Sequence, residues 1–114
     1  MELVGQIIIA RILGALTEAL LEMRHQRILQ TAKTTACKKL RLDDLQTKAP
    51  TYADIEKQRS INVELHALEF KIAIVVPETQ MAYLARLKFS HENHRIFYFD
   101  LAEAISWLMH EDAA

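Results

Sequence analysis

Four groups of residues have the types and spacing for chemistry. In F-S-H-E-N-H-R, His91 and His94 stand three apart with Glu92 and Asn93 between them, two imidazoles and a carboxylate within four residues. A zinc site takes three or four such ligands converging on one point. Completing it would need His25, His66 or His110 from elsewhere in the chain. Cys37 precedes Lys38 and Lys39, whose charge would lower a thiol pKa, yet no histidine or acid lies near it in sequence. Asp43 with Asp44, and Glu111 with Asp112, are adjacent carboxylates in segments that read as a loop and a tail, where solvation is their ordinary role.

The fourth group is a run of cations. Between Glu22 and Asp43 there is no acid, while Arg24, Arg27, Lys33, Lys38, Lys39 and Arg41 supply positive charge. On a continuous helix, Arg24, Arg27, Thr31, Thr34, Lys38 and Arg41 would share one face, at steps of three and four. Cations and hydroxyls in that arrangement suit backbone phosphate, contacted without sequence readout, or an acidic protein. A solvated helix face, with cations near a helix C-terminus, is the commoner reading of such a run.

Enzyme signatures are otherwise missing. No G-x-x-x-x-G-K-[ST], G-x-G-x-x-G, G-x-S-x-G or H-E-x-x-H occurs, and with only Gly5 and Gly14 a glycine-rich phosphate cradle is excluded. Neither a cofactor nor a metal is expected. The single cysteine rules out an intramolecular disulfide. A net charge of -1 gives no global attraction to nucleic acid or anionic membrane.

The elements that must position these residues follow from periodicity and punctuation. The 114-residue chain, 51% hydrophobic and 25% charged, has the composition of one folded domain. Its apolar start lacks a basic leader and is interrupted by Arg11, Glu18 and Glu22, so neither a signal peptide nor a membrane span is expected, and a cytoplasmic location is. Ile8, Ile9, Ile12, Leu13, Leu16, Ala19, Leu20 and Met23 form one stripe at helical spacing, which predicts a long amphipathic helix over 1–42, although Ile7 to Ile9 also suit the start of a strand. Within that stripe Ile9, Leu13, Leu16, Leu20 and Met23 step by four and three. They are the candidates for self-association as a dimer, although two heptads are short for such a seam and core packing is the favoured reading of the stripe.

Pro50 ends that region, and Thr51 with Asp54 resembles a capping box for a second helix over 52–68. In L-E-F-K-I-A-I-V-V, and again in M-A-Y-L-A-R-L-K-F, the period changes to two, and R-I-F-Y-F is short and aromatic. These three runs predict a three-stranded antiparallel meander over 69–99, with His91 to His94 as a hairpin loop and Arg86 and Lys88 beside aromatic rings on one face. Asp100 and Glu103 form a D-x-x-E start for a C-terminal helix over 100–111. The expected class is α+β, with an all-α fold as the alternative. The functional expectation is a small non-enzymatic interaction or regulatory protein that acts as a homo-oligomer and binds another protein. The alternatives are nucleic-acid binding through residues 24–41, with Arg86 and Lys88 as further contacts, and a metal-dependent enzyme centred on the 91–94 loop.

Overall fold

Ile7–Arg11, Lys39–Asp43, Lys71–Val76 and His94–Tyr98 run parallel as neighbours in one sheet, in the order in which they occur along the chain. They are β2 to β5. Strand β1 (Glu2–Val4) pairs antiparallel with β2 and is the outermost strand on that side of the described sheet. Helices α1 (Glu18–Thr35), α2 (Tyr52–Ala67) and α3 (Leu101–Met109) complete the elements, in the order β1-β2-α1-β3-α2-β4-β5-α3. The computed structural model describes residues 1–11, 17–44, 52–76 and 94–110.

The class is therefore mixed α and β, as expected, but the elements differ from the sequence reading at two places. Residues 1–42 are not one helix: β1, β2, α1 and most of β3 occupy that range. Ile7, Ile8, Ile9 and Ala10 are all buried, because β2 lies inside the sheet with both faces covered, and such a strand reads as a continuous apolar run. The second difference is the meander. β4 and β5 are direct neighbours and parallel, with Ile74 opposite Ile96, which an antiparallel meander does not allow. The predicted middle strand, 81–89, and the loop residues before His94 lie outside the described residues. The second and C-terminal helices occur where they were expected.

Local chemistry explains each boundary. Gly5 opens the two-residue β1–β2 turn with φ +60°, the conformation that a glycine-first hairpin turn demands. Thr17 caps α1, its hydroxyl accepting from the Leu20 amide, and Ala36 ends the helix in the left-handed region. Helix α2 closes through a paired C-terminal motif: the Glu69 amide bonds to the His66 carbonyl and the Phe70 amide to that of Leu65, with Glu69 at φ +66°. The same motif brings the Phe70 and Leu65 side chains into one core. Asp100 caps α3, accepting from the Glu103 amide at 2.9 Å.

Alternation along the strands builds two cores. Ile8, Ala10, Leu40, Leu42, Ile72, Ile74 and Val76 pack against Leu21 and Ile28 of α1 and Ile61 and Leu65 of α2. Ile7, Ile9, Ala73, Val75 and Phe97 pack against Ala104 and Leu108 of α3. Helices α1 and α2 thus pack on the same face, as two consecutive crossovers of one hand between neighbouring parallel strands require. Lys71 fastens the end of α3, donating to the carbonyls of Trp107 and His110 and lying 4.5 Å from the Trp107 ring centre.

Candidate functional site

Parallel sheets present their strand carboxyl ends at one edge, the usual place for binding in open sheets of this kind. Here that edge holds most of the buried charge among the described residues. Asp43 and Asp44 are neighbours in sequence, yet 5% and 7% exposed, and their side chains serve opposite faces of the sheet. On the α3 face, Arg41 donates to Asp43 through two nitrogens, at 2.7 and 2.9 Å. Arg11, opposite Asp43 on β2, donates to it at 3.2 Å and to Glu2 at 3.0 Å. On the α1–α2 face, Arg24 donates to Asp44 at 2.9 Å and to the Gln58 amide oxygen at 3.1 Å, and Gln58 donates to Asn62. The aspartates read as solvated loop residues are thus the counter-ions of a buried network.

That network divides the predicted basic stripe. Helix α1 stops at Thr35, so Arg24, Arg27, Thr31 and Thr34 share a helix while Lys38 lies in the following connection and Arg41 on β3. Arg24 and Arg41 are buried in ion pairs and cannot present a charge to phosphate as an exposed face would. Arg27 and Lys38 are exposed, and Thr34 uses its hydroxyl on the Gln30 carbonyl. Thr31 reaches the Met1 sulfur at 3.5 Å. Arg86 and Lys88 lie outside the described residues, while Arg95 sits 5.7 Å from the Phe97 ring.

The self-association candidates separate in the same way. Ile9 is buried in β2 and not part of a helix. Leu20 is half-buried against the core, Met23 is exposed, and Leu13 and Leu16 lie outside the described residues. A helix–helix seam of these five residues is therefore overturned, since its first member belongs to the sheet.

What the fold assembles instead is the flank where α1 meets the edge strand. Register places Leu3 on the same sheet face as Ile8, the face covered by α1, and the bond to Thr31 ties Met1 to that helix. Beside them a cleft of about 190 Å³ opens, lined by Met1, Leu20 and Met23 together with Arg11, Arg24 and Arg27. Arg11, Met1 and Leu3 were not singled out from the sequence. The only signal for Arg11 was its place directly after a run of four apolar residues.

The remaining candidates stay apart. His94 begins β5, where its ring lies 6.1 Å from that of His66, and His91 lies outside the described residues. His25 is buried and its Nε2 is 3.0 Å from a Glu64 carboxylate oxygen. Among the described residues no group of three His, Cys, Asp or Glu is placed to hold a metal ion. Cys37 is buried, its thiol donating to the Gln6 carbonyl, so it is held as a packed core group. No helix among the described residues is long and apolar enough to cross a membrane. No known protein family, curated protein or solved structure matches the chain.

Proposed function

We propose that the chain is a small non-enzymatic interaction or regulatory protein, a homo-oligomer that binds another protein through the flank formed by β1 and α1. One observation carries this reading: the large apolar side chains Met1, Leu3 and Met23 stand exposed at one margin, two of them, Leu3 and Met23, at 46% and 53%. Exposed apolar residues scattered singly are normal, whereas several gathered along an edge strand mark a contact surface. The buried acids and bases at the carboxyl edge are engaged with one another, which favours a structural role for them over turnover.

Self-association belongs to the same reading. Among the described residues no strand pairs with the outer side of β1, so its backbone donors and acceptors can pair with a second β1, with Leu3 and Val4 alongside. Sedimentation equilibrium at micromolar concentration is expected to return twice the 13.1 kDa chain mass, and Leu3→Glu to return the single chain. A wild-type value of 13.1 kDa would remove the oligomer from the proposal. Nucleic-acid binding ranks below protein binding, because two of the cations it needs, Arg24 and Arg41, already have buried carboxylate partners.

A further inference from the structure

The cleft beside β1 and α1 combines two chemistries in a small space. Met1, Leu20 and Met23 give it an apolar part, and Arg24, Arg27 and Arg11 complete the lining, the last with its guanidinium turned to Asp43 and Glu2. The charges around it do not balance. Arg24 is matched by Asp44, and Arg11 and Arg41 share Glu2 and Asp43, while Arg27 joins no ion pair or hydrogen bond among the described residues. Arg27 is thus the one guanidinium of the lining without a carboxylate partner among the described residues, and it is exposed.

Arg27 is also the guanidinium with all of its donors available. Arg24 spends Nη1 on Asp44 and Nη2 on Gln58, and Arg11 spends Nε on Asp43 and Nη1 on Glu2, which leaves each one further nitrogen. A planar donor fork with no partner of its own matches a carboxylate, which accepts two parallel bonds. Size narrows the occupant. The cleft's 190 Å³ is below the roughly 300–1,000 Å³ of sites that enclose a free ligand, and is on the scale of one anchoring side chain.

We infer that this cleft takes the carboxylate of an aspartate or glutamate on the partner protein, with an apolar side chain next to that acid resting on Met1, Leu20 and Met23. The inference rests on the protein-binding reading and adds the chemistry that the partner must show. An acid so held would have its charge met by Arg27, the guanidinium of the lining that has no partner among the described residues. Nearby apolar surface would exclude water from the pair, and a pair so shielded contributes more to specificity than an exposed one.

The test is selection of a random peptide library on the immobilised full chain, run in parallel on Arg27→Glu. Arg27 is exposed and bonds to no other described side chain, so the variant should keep its fold, which circular dichroism checks. The expected wild-type pool is enriched in Asp or Glu adjacent to Leu, Ile, Met or Phe. A selected peptide should lose affinity roughly tenfold when its acid is changed to the amide, and by a similar factor on Arg27→Glu. A pool without acids, or acidic peptides that Arg27→Glu binds equally well, would overturn the carboxylate site while leaving protein binding in place. No enrichment over bare support would overturn both.

Discussion

Asp43→Asn should lower the free energy of unfolding by about 3–5 kcal/mol, because it removes the charge that compensates a buried guanidinium. Asp43 lies on β3 two residues from Arg41, so both side chains project from the same face, and Arg41 donates to both carboxylate oxygens. The amide of asparagine would keep one acceptor and set an N–H₂ against the Arg41 and Arg11 donors. A loss of that size is a large part of the roughly 5–15 kcal/mol that holds a typical domain together. For a chain of this length it corresponds to a fall in Tm of roughly 10–25 °C. The companion variant separates pairing from burial. Arg41→Met with Asp43→Leu replaces the buried pair by apolar groups of similar size and should recover most of the loss, since such exchanges are often neutral or stabilising. Denaturant titration of the three proteins decides it: a single-variant loss below about 1 kcal/mol would show that Arg41 and Asp43 are solvated.

Phe70→Ala is expected to cost about 3–5 kcal/mol, the second large effect. Phe70 is fully buried at the junction between α2 and β4, where its amide closes the helix on the Leu65 carbonyl and its ring packs in the core that contains Leu65, Ile61 and Ile72. Truncation removes the ring and leaves a cavity that neighbouring strands, fixed by their own ladders, cannot fill. The helix-ending motif survives because its hydrogen bonds are made by backbone. The loss should therefore appear as reduced stability at unchanged helix content. Val63→Ala, on the exposed side of the same helix, should stay within about ±0.5 kcal/mol. Equal losses for the two variants would contradict the assignment of Phe70 to the core.

How far the sequence announces this fold depends on where its signals are local. Helix α3 is legible because Asp100 and Glu103 mark its start and Ala104 and Leu108 its buried side, all within nine residues. Strand β4 is legible as a strand from its period of two and its β-branched residues. Its burial on both faces, Ala73 and Val75 included, is not, because that depends on which helices cross it. The first forty residues mislead for a definite reason. Ile8, Ile9 and Ile12 fit helical spacing as well as they fit a strand, while the true start of α1, Thr17 followed by Glu18, is a weaker signal than an isoleucine run. In K-L-R-L-D the alternation of Leu40 and Leu42 marks β3, but Arg41 and Asp43 read as surface charge. Only the parallel register, which sets Arg11 opposite Asp43, shows them as a buried network. The site follows the same division. Arg27 is legible as an uncompensated cation in an acid-free run, whereas its neighbourhood with Met1 and Arg11 exists only because the hairpin folds β1 back against α1.

The claim that the β1–α1 flank is the working surface is tested most directly by comparing what the tagged full chain and its surface variants co-purify from the native host. Wild type and Val63→Glu, altered on a distant exposed apolar residue, are expected to recover the same stoichiometric protein, and Leu3→Glu and Met23→Glu to lose it. Recovery unchanged by Leu3→Glu and Met23→Glu, or abolished by Val63→Glu alone, would contradict the account.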